Sequence, residues 1–355
     1  MLTTTAGVLT VSTLSLLSMR KAALHYGFVD SPCSRKRHSG EIPLVGGASL
    51  FVSVVFICLA QPILVPMSYD YLIGGALLVL VGMFDDKYDI SASLRLVLML
   101  FLAIWLANVG GHSINNLGDL AGSGKLDIKS FSVAFTAVAL IGCITAFNMV
   151  DGADGLLSVL ASVTFLGLAA IFYASGELNL TYFCLLFVLA MVPYAICNLD
   201  IIPNRSLRVF MGDSGSFLIG FTVIWLMIAA TKTSGEPSAE PIMRPVTALW
   251  LVAVPLMDMA MVMLRRMKNR RSPFSADRLH LHHICTRLKM GRYQSLLIIG
   301  GISLAHALVG IAGELLQVRE SIMLALFLLS FSLYVISISY VWKFTTFLRH
   351  RLNIH

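Results

Sequence analysis

The sequence is dominated by apolar runs of about 20 residues that recur along the chain, and this constrains the fold more than any other feature. About 20 apolar residues is the length that an α-helix needs to cross the hydrocarbon core of a bilayer. Hydrophobic residues make up 57% of the 355 residues and charged residues only 13%, about half the share usual in a soluble domain. Because backbone polar groups in lipid must pair within their own segment, the sequence predicts an all-α polytopic membrane protein.

Eleven segments qualify as candidate membrane spans by length and apolarity. They cover residues 2–19, 44–64, 69–84, 93–110, 130–148, 156–174, 179–197, 214–231, 245–264, 294–316 and 321–342. The first has no basic front end and no clear cleavage site, so we interpret it as a span rather than a removed signal. We expect one integral membrane domain over residues 1–355, with catalytic loops at 20–43, 85–92, 148–156, 198–214 and 265–293.

Lys and Arg residues are distributed unevenly between the two sides of the membrane that this topology defines. Of the 26 in the chain, 21 fall on the side reached after the odd-numbered spans. Since basic residues gather in cytoplasmic loops, this side is predicted to be cytoplasmic, with the N-terminus outside and the C-terminus inside. The same rule accounts for the net charge of +7 without a nucleic-acid partner.

Three acidic motifs fall on the predicted cytoplasmic side, each at the end of an apolar run: DDKYD (85–89), NMVDGADG (148–155) and VFMGDSGS (209–216). Acids at membrane depth are costly unless they pair or serve a function. Neighbouring carboxylates repel one another unless a cation lies between them, and Mg²⁺ is usually bound by one or two carboxylates plus substrate phosphates. Taken together the motifs predict a composite cation and phosphate site, although each one alone also fits a solvated turn.

Two further polar segments lie on the same predicted side. RLHLHH (278–283) places three histidines and an arginine within six residues, a composition suited to an anionic ligand. A zinc site is disfavoured because there is neither a cysteine partner nor HExxH spacing, and the six cysteines form no CxxC pair. The second segment, HSGEIPLVGG (38–47), has a pattern of Gly and Pro that a basic flank of a membrane span does not explain.

Five motifs that alternate with apolar segments resemble those of the polyprenyl-phosphate N-acetylhexosamine-1-phosphate transferases, the glycosyltransferase 4 family. In chain order they are HSGEIPLVGG, DDKYD, NMVDGADGL, VFMGDSGS and DRLHLHH. The resemblance extends over essentially the whole chain. The peptidoglycan branch of that family usually has Lys where Asp89 stands and three consecutive His before an acid. Here the order is His280-Leu281-His282-His283, so the resemblance favours the N-acetylglucosaminyl branch.

The resemblance implies a metal-dependent transfer of N-acetylglucosamine 1-phosphate from UDP-N-acetylglucosamine to undecaprenyl phosphate. The products would be undecaprenyl-diphospho-N-acetylglucosamine and UMP, in the first membrane step of O-antigen or another surface polysaccharide such as enterobacterial common antigen. The expected location is the bacterial inner membrane, with the active site on its cytoplasmic face. The expected partners are the two substrates and the lipid bilayer, with no nucleic acid, and a homodimer is left open.

The resemblance also implies roles for individual residues. Asn148 and Asp213 would hold Mg²⁺ or Mn²⁺ on the diphosphate. The predicted catalytic acids are Asp85, Asp86, Asp89, Asp151 and Asp154, of which Asp85 and Asp86 would face the attacking lipid phosphate. The predicted substrate-binding residues are Asp154 and Phe210 near the uracil, Asn198, and Arg278, His280, His282, His283 and His38 around the sugar and diphosphate.

Three alternatives stay open at this point. A sister transferase could use another UDP-N-acetylhexosamine, such as UDP-N-acetylgalactosamine, with the same chemistry. A secondary transporter is disfavoured, because transporters carry their polar residues near the bilayer midplane rather than at helix ends. Phosphoryl transfer could proceed by direct attack of the lipid phosphate or through a covalent aspartyl-phosphate.

Overall fold

The computed structural model describes residues 2–31, 40–65, 68–108, 110–202, 207–232, 241–273 and 280–352, with side chains up to residue 340. Within these ranges the chain is mostly helical. The helices are α1 (Leu2–Tyr26), α2 (Gly46–Ala60), α3 (Ser68–Tyr88), α4 (Ala92–Asn108), α5 (Ser132–Val150), α6 (Leu156–Ala174), α7 (Leu178–Asn198), α8 (Gly212–Thr231), α9 (Pro245–Leu251), α10 (Ala253–Lys268), α11 (Leu281–Arg287), α12 (Arg292–Leu315) and α13 (Glu320–Leu352). A short antiparallel ladder joins β1 (Val29–Asp30) to β2 (Ile42–Pro43).

Seven helices of the described chain are long and apolar enough to cross a bilayer: α1, α5, α6, α7, α8, α12 and α13. The pair α9 and α10 makes an eighth if it is counted as one span, although it is bent by 82°. The prediction of a helical multi-pass membrane protein is therefore confirmed. The remaining predicted spans correspond to α3 and to the shorter apolar helices α2 and α4, so the number eleven and the orientation of the termini stay predictions.

The bend between α9 and α10 has a cause in the sequence. Pro255 has no N–H, and its ring would clash with the carbonyl of Leu251, four residues earlier, in a continuous helix. α9 accordingly ends at Leu251, and Pro255 lies in the first turn of α10, where a missing N–H is tolerated.

Some helices extend further than the apolar runs that predicted them, whereas α2 is shorter than its predicted span of 44–64. α3 continues to Tyr88, four residues past the predicted end of its span, so Asp85 and Asp86 lie on its last turn rather than in a loop. Polarity marks where a chain leaves the lipid, but it does not stop the backbone hydrogen bonds of a helix. Two carboxylates at a helix C-terminus are unfavourable to the helix dipole, so they require compensation from other elements.

The centre of the bundle is α8, whose residues are nearly all buried and which packs against α2, α3 and α5. Small residues allow this close approach, as is common between membrane helices. A Cβ atom built on Gly82 of α3 would lie 2.3 Å from the Cα atom of Ser214, and one built on Gly47 of α2 would lie 2.1 Å from the backbone nitrogen of Gly215. These contacts place the first turn of α8 directly against α2 and α3.

The contact between Gly47 and Gly215 generates the first prediction. Gly47→Ala should lower the free energy of unfolding by about 1–3 kcal/mol, because the new methyl group meets backbone atoms that have no room to move. The matched control is Gly142→Ala in α5, where a Cβ atom would meet nothing within 4 Å. Thermal unfolding of the detergent-purified variants measures the difference, and equal midpoints for the two variants would contradict this packing.

Candidate functional site

The polar segments predicted on one side of the membrane converge at one end of the helix bundle. Asp213 contacts Arg95 and Asn148, while its backbone N–H reaches Asp86. Phe210 bonds to the segment that starts at Pro43. The structure therefore joins segments 43–47, 85–95, 148–155, 198–202, 207–213 and 280–292 into one connected site, the last through contacts described below.

The first segment of the site, Pro43–Gly47, is held to the chain before α8 by three backbone hydrogen bonds. The N–H of Phe210 donates to the carbonyl of Pro43 (2.9 Å), and the N–H groups of Gly46 and Gly47 donate to the carbonyls of Phe210 (3.0 Å) and Met211 (2.9 Å). A Cβ atom on Gly46 would lie 2.7 Å from the Cα atom of Met211. Residues 43–47 of HSGEIPLVGG thus form a backbone clamp, which we call the α2–α8 clamp.

Asp86 of α3 caps the N-terminus of α8. Its two carboxylate oxygens accept the N–H groups of Asp213 (2.8 Å) and Ser214 (3.4 Å), which have no partner within their own helix. Gly212 has a positive φ of 75°, and a Cβ atom there would lie 2.4 Å from a carboxylate oxygen of Asp86. The positive end of the α8 dipole also offsets the negative charge that Asp86 brings to the end of α3.

Asp213 is shared between a cation and an amide. Arg95 of α4 contacts the buried carboxylate of Asp85 and lies 3.2 Å from an oxygen of Asp213. The Asn148 amide donates to the other oxygen of Asp213 (2.7 Å) and to Ser216 (2.9 Å). Arg95 therefore supplies positive charge between two acids that come from different helices.

The pair Asn148 and Asp213 fits a hard divalent cation by its chemistry. A carboxylate and an amide oxygen are the oxygen ligands that Mg²⁺ takes, and Mg²⁺ usually keeps waters or substrate phosphates as the rest of its shell. Among the described residues, no group of three or more His, Cys, Asp or Glu side chains is arranged to hold a metal. Asn148 and Asp213 could supply two ligands of a cation whose other ligands come from water or phosphate.

Two further predicted catalytic acids, Asp151 and Asp89, differ from these. Asp151 follows α5, and burial raises the pKa of its carboxyl to about 7, with the charges of Asp86 and Asp154 adding to the shift. Asp89 lies beyond the end of α3, exposed, at a positive φ of 49°. Among the described residues, no side-chain hydrogen bond or salt bridge joins Asp89 to the site, so the structure brings Asp151 into the site and leaves Asp89 at its edge.

Asp154 and Phe210 are linked through arginine. Arg208 pairs with Asp154 and lies over the ring of Phe210, 5.5 Å from the ring centroid. Arg292, at the start of α12, approaches the same oxygen of Asp154 at 3.5 Å. The structure therefore brings the predicted uracil-binding pair together. Arg208 and Arg292, which the sequence analysis counted only as indicators of membrane orientation, lie beside that pair.

Asn198 is buried and uses both ends of its amide. Its oxygen accepts the N–H of Gly155 (2.6 Å), and its nitrogen donates to the carbonyl of Val209 (2.9 Å). The side chain thus ties the turn before α6 to the segment before α8. Its predicted contact with substrate stays a prediction, and its observed contacts support the shape of the site.

The histidine segment borders the acidic motif of residues 148–155. A Cβ atom on Gly152 would lie 2.8 Å from the His282 ring, and the His282 and His283 rings are 4.1 Å apart. Burial, then the nearby His283 and His280, lower the pKa of His282 to about 3, so His282 is neutral at pH 7. His280 bonds to Asp258 of α10. The predicted His38 and Arg278 lie outside the described residues.

Sequence reasoning missed Arg95, Asp258 and Tyr334 as parts of this site. Arg95 and Asp258 are ionisable residues inside predicted membrane spans (93–110 and 245–264). Ionisable residues in such spans usually have a function, so both were candidates for the site. Tyr334 donates a hydrogen bond to Asp258, but a tyrosine in an apolar helix gives no comparable signal.

These elements form a multi-pass membrane protein with a cluster of acids, arginines and histidines at one end of its helix bundle. Comparison with known proteins agrees. The model of glycosyl transferase family 4 matches residues 69–231. Proteins named undecaprenyl-phosphate alpha-N-acetylglucosaminyl 1-phosphate transferase are 40% identical to the chain in Yersinia pestis (94% of this chain, 90% of the relative), Escherichia coli strain K12 (95% and 91%) and Haemophilus influenzae (95% and 93%).

The chain belongs to glycosyl transferase family 4, because this identity extends over nearly its whole length and that of the relatives.

The cap on α8 generates the second prediction. Asp86→Ala should make local opening of the first turn of α8 easier by about 1 kcal/mol, because two backbone N–H groups lose their acceptor. Hydrogen–deuterium exchange in peptides covering residues 211–216 should then be about fivefold faster. Asp89→Ala is the matched control from the same motif and should leave exchange there unchanged. Equal exchange in the two variants would show that Asp86 does not cap α8.

Proposed function

We propose that the chain transfers N-acetylglucosamine 1-phosphate from UDP-N-acetylglucosamine to undecaprenyl phosphate and releases UMP. The observation that carries the proposal is the cluster of Asp85, Asp86, Asn148 and Asp213 at one end of a membrane bundle, in a chain 40% identical to proteins named for this reaction. The oligomeric state is independent of this proposal, and so is the surface polysaccharide that the product would enter.

The proposed topology has eleven spans, the N-terminus in the periplasm, and the C-terminus and active site on the cytoplasmic side of the inner membrane. The 21 Lys and Arg residues on the site's side support this orientation. The donor is water-soluble and the acceptor is held in the bilayer. The reacting groups must therefore meet at the interface, on helix ends that rigid packing keeps in place.

Asn148 and Asp213 are the proposed ligands of Mg²⁺ or Mn²⁺. When bound, the metal would neutralise charge on the donor's diphosphate, which is a large part of catalysis in phosphoryl transfer. The clamp and the cap hold the backbone of Asp213, and the Asn148 amide orients one of its carboxylate oxygens. Asn148 and Asp213, the residues that would hold the metal, are thus fixed in advance. Phosphate oxygens of the donor would supply further ligands.

The acceptor phosphate is proposed to bind next to Asp85 and Arg95. A phosphate monoester has its second pKa near 6, so at neutral pH the lipid phosphate is largely a dianion and needs little help from a base. Arg95 attracts that dianion, and Asp85 orients it and takes any remaining proton. Asp85, Asp86 and Asp213 each already have a partner in the protein. Asp85 pairs with Arg95, Asp86 accepts two backbone N–H groups, and Asp213 accepts a hydrogen bond from Asn148. This favours direct attack over an aspartyl-phosphate.

The donor is proposed to extend from Asp154 and Phe210 toward the histidines. Phe210 offers a ring for the uracil, and Arg208 and Arg292 neutralise Asp154 when no nucleotide is present. His280, His282 and His283, with the predicted Arg278 and His38, would bind the sugar and diphosphate. Because His282 is neutral, it can donate one hydrogen bond and accept another, which suits a sugar hydroxyl or amide.

The third prediction tests the reaction and its metal. Purified protein given undecaprenyl phosphate and UDP-N-acetylglucosamine should release UMP, stop when EDTA removes the divalent cation, and recover with Mg²⁺ or Mn²⁺. UDP-N-acetylgalactosamine in place of the donor separates the sister activity. Full turnover in EDTA would contradict the metal-dependent proposal, and transport of a solute without UMP release would contradict the reaction itself.

The fourth prediction tests the placement of the site. Asp213→Asn should reduce turnover by about 1,000-fold or more, because a lost carboxylate ligand removes several kcal/mol of charge stabilisation, and added metal should restore little. Lys232→Ala is the control. Lys232 follows the opposite end of α8 and donates to the carbonyl of Gly111 (2.6 Å). Its variant should retain activity within about twofold, and comparable losses in both variants would place the site elsewhere.

A further inference from the structure

Asp258 is a buried acid in α10 whose hydrogen bonds link three elements. It is only 2% exposed. One carboxylate oxygen lies 2.8 Å from the Nδ1 atom of His280. The other oxygen accepts the backbone N–H of Leu281 (3.0 Å) and the hydroxyl of Tyr334 in α13 (2.9 Å). A buried carboxylate is tolerated only with such partners, and these partners converge on the histidine that starts α11.

The pairing determines which nitrogen of His280 carries a proton. An ionised carboxylate only accepts hydrogen bonds, so the Nδ1 atom of His280 must be the donor. Nε2 is then the nitrogen left for another ligand, and the ring cannot turn over without breaking the bond to Asp258. A carboxylate behind a histidine sets its tautomer and orientation in this way in metal and hydrolase sites.

We infer that Asp258, held by Tyr334, is a positioning residue that places the proton of His280 on Nδ1 and presents Nε2 to the sugar-diphosphate donor. The inference rests on the proposed function, since it assigns His280 to that donor. Asp258 acts through His280 and is itself not expected to touch substrate.

The neighbouring histidines support a role for orientation. The His280 and His282 rings are nearly parallel, at an interplanar angle of 6° and a centroid distance of 5.8 Å. His280 is buried, so a change in its tautomer would present the wrong hydrogen-bonding group to a ligand. Leu281, the residue between them, is fixed through the same carboxylate.

Asp258→Asn is the fifth prediction and the direct test. The amide oxygen can keep the bonds from Leu281 and Tyr334, while the amide NH₂ faces Nδ1 of His280. The proton of His280 is therefore forced onto Nε2 with little change in shape. The turnover number should fall by about 100-fold, in the range typical of carboxylate–histidine pairs, with a smaller change in KM.

The variant Tyr334→Phe removes one bond to Asp258 and leaves the carboxylate in place, so turnover should fall only a few-fold with the His280 tautomer unchanged. Tyr340→Phe, an exposed tyrosine of the same helix, is the matched control and should behave as the unchanged protein. In a His280→Ala background, Asp258→Asn should lower activity no further, because the two residues act as one unit.

The tautomer is read directly by nitrogen NMR of ¹⁵N-histidine-labelled protein, with His280→Asn to assign the signals. The unchanged protein should show a protonated Nδ1 at His280, and Asp258→Asn a protonated Nε2. The inference is overturned if Nδ1 of His280 is unprotonated in the unchanged protein. It is also overturned if Asp258→Asn lowers turnover by the same factor in the His280→Ala background as in the unchanged protein. Absence of UMP release by the unchanged protein would instead overturn the proposed function, while the NMR result would still report on Asp258.

Discussion

The geometry of the site depends on how the N-terminus of α8 is held. Three backbone hydrogen bonds of the α2–α8 clamp fix the chain before the helix, and Asp86 of α3 caps its first N–H groups. Glycines on both sides make this approach possible, because any side chain would push the helices apart. Asp213, in the first turn, is thereby placed by segment 43–47 and by α3, while its carboxylate contacts Arg95 and Asn148.

This arrangement also solves an electrostatic difficulty. Asp85 and Asp86 lie at the negative end of α3, where further negative charge is unfavourable. Asp86 is paired with the N-terminus of α8 and Asp85 with Arg95, so each acid has a compensating partner within the protein. A divalent cation and an incoming phosphate would exchange some of these contacts for stronger ones. That is an economical way to bind a highly charged donor at the surface of a bilayer.

The sequence was sufficient to predict that the protein is a helical membrane protein and that its polar motifs converge, because both follow from strong local patterns. It was insufficient wherever a partner comes from a distant segment. Nothing in the local sequence indicates that Asp86, predicted to face substrate, also caps a helix 127 residues away. The same holds for Asn198, which is predicted to bind substrate and also bridges two backbone segments. Both substrate contacts stay predictions. Arg95 and Asp258 stood out only as charges inside apolar helices. Helix ends also shifted, as at Tyr88, because apolarity marks the lipid boundary and hydrogen bonding sets the helix boundary.

We propose that an amide of α5 and an acid of α8, Asn148 and Asp213, hold one divalent ion together with the donor's diphosphate. Electron paramagnetic resonance of Mn²⁺ titrated into the purified protein measures this most directly. We expect one immobilised Mn²⁺ per chain when UDP-N-acetylglucosamine is present, and loss of that signal when Asn148 and Asp213 are both replaced by Ala. Undiminished binding of Mn²⁺ by that double variant would contradict it.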